Sequence, residues 1–488
     1  MVRQSTKLAL AAAGTLAVGM LACTPLGGTP GAAVSPAPGA TTAAGSGTTS
    51  GTSTGSTNTT VNTSETAVCF TCHGDKSELG NKLQNARDQW SWSVHAKGLQ
   101  VPIQDSSGNI LGWEFEGSDG FYGQANGCQV CHTKEGFNKG ISGEYPSGDY
   151  SFPHYQSGAA TNDTSVYPSS LTCFTCHKPH TNKNFDLVYP ASKSVKMFNG
   201  ATYTKPEGSL CVGCHQARIA IGTAEALSVS AIKNGMSFRH GPHYSGQSDM
   251  LMGKGGAEYA GKTYSNGMHT TLDGANCITC HMTRPRGSGW SPNIGGHSFN
   301  VTGIIHGAQK GNTAGCVTCH SDKTSTGAYK MTAPLVGDSG KIAAKGFLKK
   351  GKAYFSLGTK TVEHYNTIND LAMKLVNPDD SFKGLLLSAY QLPDMAGATG
   401  TITIGSDFHP TAMNFNLKES TASVSTRRVR FAKAYYNYLF FVYDGSFGVH
   451  NPKYLAQLLY DSCTDLKDML ATSTPSATTS IDCGSTRP

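Results

Sequence analysis

The sequence predicts a mainly α-helical protein with much irregular loop, whose middle part lacks a side-chain core of its own and whose C-terminal part is a segment of long helices. Three observations predict this. The motif C-x-x-C-H occurs six times between residues 69 and 320. The chain between those motifs is rich in Gly, Ser, Asn and Pro, and regular elements there reduce to short helices that carry the motifs. Beyond residue 330 the motifs stop and apolar residues recur at helical spacing.

Composition narrows the class further. Of 488 residues only 15% are charged, below the roughly 25% of ordinary soluble domains. A mean hydropathy of -0.28 excludes a multi-span membrane protein. The net charge of +7 is dispersed, with no Lys/Arg run of the kind that makes a nucleic-acid arm, so no nucleic-acid partner is expected.

The first element, residues 1–22, reads as a signal peptide. Arg3 and Lys7 form its charged start, and Leu8 to Met20 is an apolar run too short for a permanent span. It ends Met20-Leu21-Ala22-Cys23, which resembles a bacterial lipobox with Met in place of the usual Leu; Cys23 would then be lipidated. Plain cleavage near Ala22 is the alternative. Residues 23–66 follow as a Gly/Ser/Thr-rich tether without apolar periodicity.

Residues 67–330 carry the motifs: Cys69-Cys72-His73, Cys128-Cys131-His132, Cys173-Cys176-His177, Cys211-Cys214-His215, Cys277-Cys280-His281 and Cys316-Cys319-His320. About 0.016 such motifs are expected on random placement at this composition, so the pattern is chemical. Two thiols at this spacing reach the two vinyl groups of one haem, and the next residue lies beneath the iron as proximal ligand. Zinc sites do not demand His after every second Cys, and a dithiol redox pair would occur once. Six covalently bound haem c groups are expected, with the porphyrins supplying the apolar core that side chains lack.

Eleven histidines remain for the opposite faces of six irons: 95, 154, 180, 240, 243, 269, 297, 306, 364, 409 and 450. That surplus makes histidine the expected distal ligand throughout. Cys176-His177-Lys178-Pro179-His180 places a second His where it reaches a neighbouring iron.

Residues 331–488 form the haemless helical segment. Helical spacing runs over Glu363–Leu375, Ser381–Leu392 and Thr426–Val442. Asp444-Gly445 ends the third helix and Asn451-Pro452 opens a fourth, with Leu455, Leu458, Leu459, Leu466 and Leu470 on its apolar face. A disulfide between Cys463 and Cys483 would close a short loop in an oxidising compartment; two separate thiols are the alternative.

The order His269, Cys277-x-x-Cys280-His281-Met282, His297, Cys316-x-x-Cys319-His320, then a haemless segment with Gly448-x-His450-x-Pro452, resembles pentahaem cytochrome c nitrite reductases and their hydroxylamine oxidoreductase relatives. The resemblance implies four distal ligands. His95 would serve the Cys211/Cys214 haem, His297 the Cys173/Cys176 haem, His450 the Cys277/Cys280 haem and His269 the Cys316/Cys319 haem. This chain departs from those enzymes in an extra haem at Cys69/Cys72 and in His132 where many have Lys. It also lacks Arg and Tyr at their substrate-pocket positions; Ala217 and Arg218 stand where the enzymes place calcium ligands. His243 would close the Cys128/Cys131 haem and His180 the extra haem, with His154 or His306 in reserve.

The function expected is electron transport through bis-His haems in an extracytoplasmic chain, in an outer-membrane lipoprotein facing the periplasm or the cell surface. No residue is assigned a catalytic role. The partners expected are other cytochromes or redox proteins, extracellular metal or nitrogen-compound acceptors, the membrane through the lipid anchor, and a second copy of the chain. The alternative is reduction of a small nitrogen or sulfur species at an open Cys128/Cys131 haem. Oxyanion chemistry there would need cationic or hydrogen-bonding groups over the bound ligand, and the missing Arg and Tyr remove them.

Overall fold

The structure is a computed structural model that describes residues 78–97, 100–104, 110–115, 129–132, 134, 137–138, 171–178, 186–189, 194–197, 199–217, 236–237, 241–242, 245–285, 291–305, 308–312, 314–316, 322–323, 329–330, 368, 370–376, 384–390, 392, 402–404, 410–415, 426–472 and 481–488. The signal peptide, the tether, Cys23, Cys69, Cys72, His73, Cys128, His180, His243, Cys319 and His320 lie outside the described residues.

The chain enters through helix α1 (Glu78–Ser91), a 3-10 turn (His95–Lys97) and an antiparallel hairpin of β1 (Gln100–Gln104) and β2 (Ile110–Phe115). Short motif helices follow: α2 (Gln129–His132), α3 (Cys173–Cys176), then, past the pair β3 (Val195–Lys196) and β4 (Thr202–Tyr203), α4 (Ser209–Val212). Next come β5 (Met236–Ser237), α5 (Gln247–Met252), α6 (Met268–Thr271), α7 (Cys277–His281) and the hairpin β6 (Thr302–Ile305) and β7 (Ala308–Gly311). Two of the motif helices are capped one residue before their first Cys. Thr172 accepts from Phe174 N, and Asn276 accepts from Thr279 N, which satisfies amides that a first turn leaves unpaired.

The C-terminal part comprises helical residues 370–376, α8 (Leu385–Tyr390), strands β8 (Ile402–Ile404) and β9 (Pro410–Phe415), α9 (Thr426–Asp444) and α10 (Pro452–Ala471). Strand β9 joins β8 to β5, so the haemless segment pairs directly with the motif-bearing one. Helix α9 is buried almost all round from Phe431 to Asp444, as a central core helix must be. It packs on α10, whose first turn carries Asn451 as cap and Pro452, which has no amide to leave unpaired. Together with α8 and residues 368–376 these helices form the main core, into which Met250 and Ala257 also pack.

Several expectations shift. The helix expected over Ser381–Leu392 begins after Gly384, which lies so close to the backbone of Leu375 and Val376 that a side chain there would strike it. The third runs over Thr426–Asp444 and stops at Asp444-Gly445 as expected. The middle part holds more regular structure than its composition suggests, namely α1 and several small antiparallel strand pairs. Cys463 and Cys483 are disulfide-bonded, with Cα atoms 5.9 Å apart. Among the described residues no helix is long and apolar enough to cross a membrane.

Candidate haem-ligand site

Among the described residues no group of three or more His, Cys, Asp or Glu converges on one point to hold a bare metal ion. The histidines come instead in facing pairs. The ring centres of His95 and His215 are 5.8 Å apart with planes at 88°. Those of His177 and His297 are 6.2 Å apart at 42°, and those of His281 and His450 are 6.4 Å apart at 35°. In each pair one residue ends a C-x-x-C-H motif and the other comes from a remote turn. Two imidazoles on opposite faces of one iron stand about 6.2 Å apart, from about 2.0 Å per metal–nitrogen bond and about 1.1 Å from nitrogen to ring centre. These pairs therefore fit bis-imidazole haem, and each pair lies beside thiols at the attachment spacing.

Hydrogen bonds orient the rings. His281 donates from Nδ1 to the carbonyl of Phe299 at 2.9 Å, and His269 does so to the carbonyl of Val449 at 2.5 Å. A carbonyl only accepts, so in the neutral ring Nδ1 carries the proton and Nε2 keeps the lone pair that a metal needs. His215 Nδ1 lies 3.1 Å from Gln247 Oε1, whose amide nitrogen donates to the carbonyls of Tyr443 and Asp444. That fixes the amide oxygen as acceptor and again leaves Nε2 unprotonated. His450 Nδ1 meets the carboxylate of Asp444 at 2.6 Å.

Two turns present the remote histidines. His297 follows Gly295 and Gly296 and precedes Phe299, all with positive φ. A side chain at Gly296 would overlap Gln89, whose Oε1 accepts from His297 N at 3.0 Å and so ties the turn to α1. His450 lies beyond Phe447 and Gly448, also left-handed; a side chain at Gly448 would meet Ile368. Non-glycine residues in this region store strain, held here by packing such as the edge contact of Phe447 on Phe441. His95 is set by Trp90, stacked at 5.9 Å, and by the edge of Phe299 at 5.0 Å.

Burial lowers the basicity of these rings. His95 falls to about 4, through burial first and then repulsion from His215 and His281. Burial likewise lowers His215, His281 and His297, so all four are neutral at pH 7 and present a lone pair. At His450 burial also opposes charge, but the Asp444 carboxylate outweighs it and the pKa rises. Asp249, on α5, accepts from Ala217 N and Asn199 Nδ2 and so anchors the chain just after His215; burial pushes its carboxyl up to about 6.

The attachment thiols adjoin one another across motifs. Cys131 and Cys214 each approach the other's carbonyl at 3.9 Å. Tyr203 OH lies 3.5 Å from Cys277 Sγ. The expected partners of His73, His132 and His269, namely His180, His243 and His320, are outside the described residues, so those three pairings have no geometry here. Gln247, Asp444, Phe299 and Trp90 were not legible as site residues. Their role is contact with a ligand's far side, and no spacing rule marks that.

Residues 50–228, which include the first four motifs, match the family described as outer membrane cytochrome MtrC/MtrF-like, domains II/IV. The chain is 24% identical over 444 residues to the C-type polyheme cytochrome OmcB of two Geobacter sulfurreducens strains, covering 77% of this chain and 55% of the relative. It is 26% identical over 310 residues to the C-type polyheme cytochrome OmcC of Geobacter sulfurreducens, covering 52% of this chain and 39% of the relative. The chain thus spans 55% of the length of the OmcB relatives and 39% of that of OmcC. No solved structure matches. These similarities correct the nitrite reductase resemblance: the family matched is one of outer membrane cytochromes and the relatives found are C-type polyheme cytochromes. C-x-x-C-H followed by spare histidines is what any bis-His c-type cytochrome needs, so the order of those residues does not separate one such family from another.

Proposed function

We infer that the chain, a multihaem c-type cytochrome similar to outer-membrane cytochromes, is an electron carrier working in an extracellular electron-transfer chain. It exchanges electrons with other cytochromes and with extracellular acceptors, held at the outer membrane by a lipid on Cys23. The facing histidine pairs carry this reading. An iron with imidazole on both faces has no position left for a substrate and changes little in geometry between its two oxidation states.

Six haem c groups would be held by the six cysteine pairs, with His73, His132, His177, His215, His281 and His320 as proximal ligands. His95, His297, His450 and His269 would be distal ligands to the Cys211/Cys214, Cys173/Cys176, Cys277/Cys280 and Cys316/Cys319 haems, with His243 and His180 on the remaining two. When bound, each haem supplies a one-electron Fe(III)/Fe(II) couple. The chain's own residues orient the rings, keep Nε2 unprotonated and exclude water. Thiol contacts support an order in which the Cys211/Cys214 haem stands beside that of Cys128/Cys131.

The test is electron paramagnetic resonance on the oxidised holoprotein, with haem counted by pyridine haemochrome. Six haems and only low-spin ferric signals are expected. A high-spin signal near one haem per chain would sink the carrier reading and direct attention to the Cys128/Cys131 haem with nitrite, hydroxylamine and sulfite.

A further inference from the structure

Asp444 is the last residue of α9; it touches the outer side of His450 directly and reaches that of His215 through Gln247. Its carboxylate, fully buried, accepts from His450 Nδ1 at 2.6 Å through Oδ1. Oδ2 takes the Ser446 amide at 3.3 Å and the Ser446 hydroxyl. Its main-chain carbonyl, which the end of a helix leaves without an intrahelical partner, accepts from Gln247 Nε2 at 3.4 Å beside the Tyr443 carbonyl at 3.1 Å. Gln247 in turn accepts from His215 Nδ1. One residue therefore stands behind His450 with an anion and behind His215 with a neutral amide relay.

The two kinds of contact act differently on an iron. A carboxylate on Nδ1–H gives the imidazole imidazolate character and makes it a stronger donor, and a buried negative charge favours ferric over ferrous iron. An amide oxygen does the first weakly and the second not at all. His281, opposite His450, rests on the carbonyl of Phe299 and adds no charge.

We propose that Asp444 is a positioning residue that sets an unequal pair of potentials. Its carboxylate, through His450, holds the Cys277/Cys280 haem low, while its carbonyl, through Gln247 and His215, leaves the Cys211/Cys214 haem higher. One electron then passes downhill from the first to the second, Fe(II) at the Cys277/Cys280 site becoming Fe(III) as the Cys211/Cys214 site is reduced. This rests on the ligand assignments proposed above.

The test is a redox titration of the holoprotein followed by electron paramagnetic resonance. His450→Ala and His95→Ala identify the two waves, since each turns one low-spin haem high-spin. In Asp444→Asn the Cys277/Cys280 wave is expected to move up in potential as its ferric-to-ferrous preference falls at least tenfold, 59 mV for a one-electron couple, and the Cys211/Cys214 wave to move up by less. Where Asp444→Asn loses a haem by pyridine haemochrome, Ser446→Ala is read instead. Removing the hydroxyl that competes for the carboxylate strengthens its pull on His450, so that wave should fall. A full complement of haems with unmoved waves in Asp444→Asn, or a Ser446→Ala wave that stays or rises, overturns the proposal. A high-spin signal from the Cys277/Cys280 haem of the unaltered protein would instead overturn the ligand assignment itself.

Discussion

His450 and His281 meet across the molecule with ring planes 35° apart, whereas His95 and His215 are nearly perpendicular at 88°. The angle matters for the iron's electrons. Perpendicular axial imidazoles leave two d orbitals nearly degenerate and give a strongly anisotropic low-spin resonance, while planes closer to parallel split them and give a rhombic one. The oxidised protein should therefore show an anisotropic signal that disappears in His95→Ala and is replaced by one high-spin ferric haem per chain. A rhombic signal lost in His95→Ala would contradict the perpendicular arrangement. At this scale the proximal side is legible in the sequence, because two thioethers and an adjacent histidine are bound by local chain geometry. The contacts behind the histidines are not. Gln247 and Asp444 are common polar residues whose meaning depends on what the fold sets 2.6 to 3.1 Å away.

Helices α9 and α10 do more than fill space, since they clamp the loop that leads to His269. Buried Asn437 donates to the Ala257 carbonyl and Ser462 Oγ and accepts from Ala257 N. Tyr454 OH accepts from Gly256 N and donates to Glu258, Gln457 accepts from Ser265 N, and Asn451 accepts from Gly267 N while capping α10. Asn437→Ala leaves two buried backbone groups unpaired and should cost about 2–3 kcal/mol in chemical denaturation. Asn451→Ala removes a cap and should cost about 1–2 kcal/mol. The Cys463–Cys483 disulfide closes a separation of 20 residues, and replacing both with Ser should cost about 3 kcal/mol with little effect on the haem spectrum. Equal stability in any of these variants would contradict the packing described. The long helices were legible because their apolar periodicity is strong. Helix α1 carries a thinner stripe, Leu79, Leu83, Ala86 and Trp90, in a largely polar stretch, and it was passed over although the spacing is helical. The close approach of Gly384 to residues 375–376 is a tertiary fact that no local pattern shows.

Over the whole molecule, the haemless segment and the motif-bearing segment are one structure: β9 pairs with β5, and α10 holds the 256–270 loop. A truncation after residue 330 should thus lose the low-spin signal assigned to the Cys277/Cys280 haem, because His450 goes with it; an unchanged signal would remove His450 from the ligand set. Replacing Cys23 with Ala should release the protein to the soluble fraction, and unchanged membrane association would end the anchor proposal. By itself the sequence determined the class of the molecule, a multihaem c-type cytochrome, since covalent attachment needs only neighbours in the chain. The family resemblance already implied the pairs His95–His215, His177–His297 and His281–His450; only the tertiary structure decided their ring geometry and which groups stand behind them. Axial pairing joins residues far apart in sequence, and its geometry depends on left-handed turns, buried amides and helix ends that no local pattern records.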